Sequence, residues 1–330
     1  MVNGKKLYVS ASPHLRSTVT TRRIMLDVIL ALVPALIASA VLFGPRTLMV
    51  TAVSVATAIL SEFAARKIMK RNMTIGDLSA IVTGMLVAFN LPATIPLWIA
   101  AVGSFFAIVV VKQFFGGIGQ NFANPAIVAR IVLLLSFGAQ MTNWVEPFSW
   151  KTTPVTGATP LAQLAAGETP SASLLQMFLG EHGGCLGETC AAALLLGGLY
   201  LLMRRVISPI IPCSYIGTVA VLMLIKGHGD LQFVAYELLS GGLLLGAIFM
   251  ATDYSTSPLN SKARLIFGIG CGLLTCLMRL FASMAEGVSF AILIMNLLVP
   301  YLERMTAPKP FGTPKRRKKR RRRRRRHDEI

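Results

Sequence analysis

Three sets of polar residues interrupt an otherwise apolar chain, and each carries a possible chemistry. Thr156-Gly157-Ala158-Thr159 sets two hydroxyls around two small residues. That leaves room for a phosphoester on a threonine oxygen, although read alone the run is equally a solvated turn. Gly116-Gly117-Ile118-Gly119-Gln120-Asn121-Phe122-Ala123-Asn124-Pro125 joins glycines to two amides. Glycines let a backbone approach a flat ligand closely, and amides near lipid need partners. Asn124 is placed to cap a helix that begins at Pro125; capping does not explain Asn121. Asp253 lies in the hydroxyl-rich run Thr252 to Pro258. There a carboxylate can bind a cation, hydrogen-bond a ring, or be satisfied by Ser255 and Thr256. Glu188, Glu237 and Asp27 sit at or within apolar runs, where acids serve ion or proton passage. Glu188 also suits the first turn of a helix. Arg130, inside an apolar run, must face protein, a phosphate or water.

No metal site is expected. The cysteines 185, 190, 213, 271 and 276 form no Cys-x-x-Cys pair and read as small apolar fillers. No residue stands out as catalytic in its own right.

The elements that must position these groups are membrane helices. Of the 330 residues 54% are hydrophobic and only 14% charged, against about 25% charged in a soluble domain. Apolar runs predict ten helices: 24–43, 47–65, 77–89, 96–115, 125–140, 189–203, 209–225, 231–250, 263–281 and 286–302. The third is short and broken by Asn90-Leu91-Pro92, which reads as a broken or re-entrant segment. The organisation is thus a basic lead (1–23), a first membrane half (24–140), a polar gap (141–188), a second half (189–303) and a polybasic tail (304–330) expected to be disordered. Both halves carry a polar, Pro-ended loop before their last helices, loosely suggesting a five-plus-five inverted repeat.

Net charge is +19, but Lys315 to Arg326 is an unbroken basic run, so the remainder is near +7. The tail lacks the aromatic residues that stack bases, so no nucleic-acid partner is expected; its plain partner is the anionic lipid surface, with acidic partner subunits as the other option. With ten crossings and the N-terminus inside, the inner loops hold Arg66, Lys67, Lys70, Arg71, Lys112, Arg204, Arg205, Lys262 and Arg264, while Arg46, Lys151, Lys226 and Arg279 fall outside. The positive-inside rule then puts both termini in the cytoplasm and the gap outside the cell (inner) membrane.

Four stretches carry a family resemblance: Ser12-Pro13-His14, Gly116 to Ala126, Thr156-Gly157-Ala158-Thr159 and Met250-Ala251-Thr252-Asp253. Over residues 8–305 the chain resembles the NqrB/RnfD family, on the side of the D subunit of the Rnf electron-transport complex. It is more distantly similar to the B subunit of the sodium-translocating NADH:quinone oxidoreductase, which usually has a longer N-terminal extension. The resemblance implies an all-α fold of ten helices in a five-plus-five inverted repeat, like urea transporters. It implies FMN held covalently on Thr159, within a motif whose usual serine is here Thr156 and whose middle is Gly157 and Ala158. It implies noncovalent riboflavin near Gly117, Asn121 and Asn124. The function implied is a translocase subunit relaying electrons from ferredoxin to NAD⁺ and storing their energy as a Na⁺ or H⁺ gradient. Asp253, Glu237 and Glu188 are the candidates for ion coupling. Other Rnf subunits (A, B, C, E and G) are the implied partners, with ferredoxin and NAD reached through them. A non-redox solute channel on the same fold is the alternative.

Overall fold

The computed structural model describes residues 19–151, 157–281 and 287–308. Ser12-Pro13-His14, Thr156 and the basic tail lie outside the described residues. All ten apolar runs are helical. Helix α1 spans Thr21–Phe43, α2 Arg46–Ile68, α3 Ser79–Phe89, α4 Leu97–Phe106 and α5 Pro125–Ser136. Two short helices cross the gap, α6 Pro160–Ala165 and α7 Leu174–Leu179. The second half holds α8 Ala191–Met203, α9 Ile210–Lys226, α10 Leu231–Leu239, α11 Leu243–Leu245, α12 Ser261–Phe281 and α13 Val288–Thr306.

Length separates these helices into classes. Crossing a bilayer takes about 20 apolar residues. Four helices meet that: α1, α2, α12 and α13. The expected single helix over 231–250 is instead a pair, α10 and α11 with its continuation, bent by 67° at Ser240-Gly241-Gly242. The remaining apolar helices have 10–17 residues. α3, with 11 residues, agrees with the expected broken segment. Two helices end in π-helical turns, Ala107–Gln113 after α4 and Gly246–Met250 after α11. Such turns collect at functional sites.

The burial pattern is that of a multi-pass membrane protein. Leu30, Ile37 and Val41 on α1, Leu196 and Leu199 on α8, and Leu273 and Leu277 on α12 are exposed, while Glu62, Lys112, Arg130, Glu237 and Arg279 are buried. Apolar side chains outside and paired charges inside suit a lipid solvent. Association between helices then rests on close packing at small residues. α1 packs on α8, where a Cβ at Gly197 would collide with the Ala31 carbonyl. α9 packs on α12 across Gly268 and Gly272, four residues apart, where added Cβ atoms would press on Ser214 and Thr218. The same interface carries a buried Tyr215–Thr275 hydroxyl contact of 2.6 Å.

Candidate functional site

Most of the candidate residues lie in or beside two pockets at opposite ends of α1. One, the glycine-loop pocket, is lined by Met25 and Val28 of α1 together with Asn121, Asn124, Lys112, Thr252 and Asp253. The other, the gap cavity, adjoins the far end of α1, where the Phe148 amide donates to the Leu42 carbonyl at 2.7 Å. At 1.5 Å per residue the two are roughly 25 Å apart along the helix.

The glycine-loop pocket is built by helix ends. Asn124 caps α5: the Ala126 amide donates to its Oδ1 at 3.0 Å, and Pro125 follows at the first helical position. Its Nδ2 donates to the Met250 carbonyl at 3.1 Å. Asn124 therefore ties the first half to the π turn of the second, as a wall-building residue. Asn121 Oδ1 is buried with no hydrogen-bond partner. Asp253 Oδ2 accepts from Ser255 Oγ at 2.8 Å and Thr256 Oγ1 at 3.2 Å, the locally satisfied arrangement its loop allows. Gly117 stands behind the pocket with φ +105°, and a Cβ there would collide with the Arg66 guanidinium. Only glycine takes both that backbone and that contact.

One charge in this pocket was placed differently by the sequence. Lys112, expected in an inner loop, is 2% exposed. It sits in the π turn after α4, where its Nζ donates to Glu62 Oε2 at 2.8 Å and to Ser79 Oγ at 2.6 Å. Thr74 Oγ1 donates to the other Glu62 oxygen at 2.7 Å. A lone ammonium this deep would be costly, and the carboxylate of α2 compensates it. Beside it, both amide atoms of fully buried Gln113 lack partners. The usable signal was an acid at 62 and a base at 112, each inside an apolar run.

The gap cavity is about 330 Å³ and is lined by Glu146, Phe148, Gly157, Ala158, Pro160, Glu181 and His182 among others. Thr159, between two of these residues, is half-buried and caps α6; the Ala162 amide donates to its Oγ1 at 3.2 Å. His182 is buried, which pushes its pKa below the ordinary histidine value, against the Gly183 and Thr189 carbonyls and the Glu188 carboxylate. Nothing in the sequence singled this histidine out.

Glu188 and Glu237 line neither pocket; each is half of a buried ion pair. Glu188 Oε2 lies 3.5 Å from Arg130 Nη1, and that nitrogen donates to Asn90 Oδ1 at 2.7 Å. Arg130 thus faces protein. Glu237 Oε2 accepts from Arg279 Nη1 at 2.9 Å, while Arg279 Nη2 donates to the Ser240 carbonyl at 3.1 Å. Arg279, expected in an outer turn, is a buried cap on the end of α10. Asp27 pairs with Arg204 at 3.3 Å and accepts from Tyr200 at 2.9 Å, joining α1 to α8.

The two pockets differ in what they can hold. A cavity of about 330 Å³ is in the range of small-molecule sites, and Thr159 lies in the chain between two residues that line it. The glycine-loop pocket is about 70 Å³, too small for a tricyclic ring. Its amides and carboxylate suit water or a small cation, and riboflavin does not fit it in this conformation. No group of three or more His, Cys, Asp or Glu side chains among the described residues is arranged to hold a metal ion.

Sequence comparison agrees with this architecture. Residues 8–312 match the model of the NQR2, RnfD, RnfE family. The chain is 46% identical, over 95% of its length and 98% of the relative's, to the D subunit of the Na⁺-translocating ferredoxin:NAD⁺ oxidoreductase complex of Acetobacterium woodii. It is 39% identical, over 92% of its length and 96% of the relative's, to the D subunit of the proton-translocating ferredoxin:NAD⁺ oxidoreductase complex of Clostridium ljungdahlii. Against the D subunit of the ion-translocating oxidoreductase complex of Stutzerimonas stutzeri identity is 40%, over 88% of this chain and 92% of the relative.

Proposed function

The chain belongs to the NQR2, RnfD, RnfE family, and from that premise we propose that it is the membrane-embedded D subunit of an ion-translocating ferredoxin:NAD⁺ oxidoreductase. The observation that carries this reading is the near full-length match to relatives so named. A quinone-reductase subunit is the weaker reading, since the three relatives above are all D subunits. Ferredoxin and NAD⁺ are handled by the other subunits of the complex.

Under this proposal both termini face the cytoplasm and the gap cavity faces outside. Thr159 would hold FMN through a phosphoester beside the gap cavity. Bound there, the flavin supplies electron transfer in one- and two-electron steps. The chain's own residues do the rest. The α6 cap holds the threonine oxygen in place, and Gly157 and Ala158 keep the approach free of bulk. Neutral His182 and the two acids of the cavity set the polarity around the bound group. No electron step is drawn through the glycine-loop pocket, which lacks room for a ring. Its Asp253 and unpartnered Asn121 oxygen are proposed instead as polar contacts for a passing ion or its water. The five-plus-five repeat enters the same proposal, supported by two broken helices, α3 and α10, one in each half.

The test is ferredoxin-driven NAD⁺ reduction in closed membrane vesicles, with and without this subunit, in sodium and in sodium-free buffer. Expected is reduction coupled to uptake of one cation, abolished when the subunit is deleted. A solute channel predicts reduction and uptake untouched by the deletion.

A further inference from the structure

The segment between α7 and α8 dips from the gap cavity into the membrane domain. The Leu186 and Gly187 amides donate to the Leu91 and Phe89 carbonyls, each at 3.0 Å. A Cβ at Gly187 would collide with the Phe89 ring. The segment is therefore pinned to the break that ends α3.

Three of its side chains are buried with a polar atom that makes no hydrogen bond: His182 Nε2, Thr189 Oγ1 and Glu188 Oε2, the last ion-paired with Arg130. Their residues are 7%, 0% and 4% exposed. The three residues pack around Gly184 through other atoms. A Cβ there would lie 3.0 Å from Thr189 Cγ2, 3.8 Å from Glu188 Oε1 and 3.9 Å from His182 Cε1. The unpartnered His182 Nε2 and Thr189 Oγ1 are the kind of polar atoms that hold a buried water.

The cluster has two ends. On the gap side His182 lines the cavity with Glu146 and Glu181. On the membrane side Glu188 meets Arg130, which is bound to Asn90 at the α3 break. A Cβ at Gly242 would lie 2.7 Å from Glu188 Oε2 and 3.2 Å from Arg130 Nη1. The ion pair thus touches the break of both halves. The histidine's tautomer follows from its bond: Nδ1 lies 3.1 Å from the Gly183 carbonyl and must donate to it. In the neutral ring Nε2 is then a bare acceptor without a partner. A proton at Nε2 turns that acceptor into a donor.

We infer that His182 is a proton-exchange residue linking the gap cavity to the Glu188–Arg130 pair. A proton from cavity water settles on Nε2. It passes to the Glu188 carboxylate by way of water held by Thr189 Oγ1, and Nε2 returns to its acceptor form. Glu188 becomes a neutral acid and releases its hold on Arg130, which Asn90 retains. The charges that face His182 in this step are Glu188 on its own segment, Glu181 beside it, Glu146 across the cavity, and Arg130 behind Glu188. This inference rests on the ion-translocating reading and names the residues on its gap-side route.

The experiment uses the complete complex in vesicles, with the pH varied only on the side the gap faces. The initial rate of ion uptake and the rate of NAD⁺ reduction are read together. Wild type should show uptake that depends on gap-side pH in the histidine range. H182Q should lower uptake by about a hundredfold, the scale of a lost proton-transfer group, and should flatten the pH profile. G184A, which fills the space between the three side chains without removing a titratable group, should lower uptake while retaining a pH-dependent profile. Uptake and pH profile unchanged in both variants overturn the inference. A flat profile with normal uptake in wild type also overturns it. A wild-type complex that reduces NAD⁺ with no ion uptake overturns the functional reading itself.

Discussion

The glycine-loop pocket and the gap cavity use the same kinds of residue under opposite constraints. In the first, charges are locked: Lys112 is fixed by Glu62 and Ser79, and Asp253 is shared by Ser255 and Thr256. Its free space is about 70 Å³. In the second, the space is about 330 Å³. The first is braced by helix ends and an interior ion pair; the second is bounded by loops, two short helices and a pinned segment. A braced site can select a small ion, whereas a roomier one bounded by loops can take a larger group.

The largest break in that contrast comes from the braced site. Lys112→Met leaves Glu62 charged and buried, and should cost about 3–5 kcal/mol, read as a drop in the thermal midpoint of the purified complex. Adding Glu62→Leu should recover most of it. A single variant as stable as wild type would mean that the pair braces nothing.

A smaller effect is expected where the segment of the second site is pinned. Gly187→Ala forces a methyl into the Phe89 ring, and overpacking of this kind costs about 1–3 kcal/mol. Protease cleavage between α7 and α8 should quicken; unchanged cleavage would argue that the segment is not held at the α3 break.

Smaller still is the loss of a cap. Thr159→Ala removes the acceptor of the Ala162 amide, worth about 1 kcal/mol for a helix N-cap. Thr159→Ser should retain it. Equal thermal midpoints for all three proteins would show that the cap contributes nothing.

The gentlest change is one of pH. Burial lowers the His182 pKa in the fold below its unfolded value near 6.5. The unfolded chain then binds more protons between the two values, so stability is full above the ordinary value and falls as the pH drops below it. His182→Gln should remove that part of the acid dependence. An unchanged acid profile would place the titration elsewhere.

Much of this was legible in the residues, for identifiable reasons. Apolar runs located every long helix because lipid tolerates little else. The capping role of Asn124 and the local partners of Asp253 followed from their neighbours in the chain. What escaped depended on long-range pairing. Lys112 and Arg279 counted as loop charges until Glu62 and Glu237, 50 and 42 residues away, brought them inside. The break at Ser240-Gly241-Gly242 was hidden in a continuous apolar run, where Arg279 supplies the donor that lets α10 stop. His182 had no flag at all, because its setting is made by carbonyls and by the pinning of its segment to α3.

The central claim is that the gap cavity carries a flavin on Thr159. Wild type and Thr159→Ala, each expressed with a flavin-transferring enzyme, are denatured on a gel and viewed under ultraviolet light. A fluorescent wild-type band and a dark variant of equal amount are the predicted result. A dark wild-type band, or a variant as bright as wild type, would contradict it.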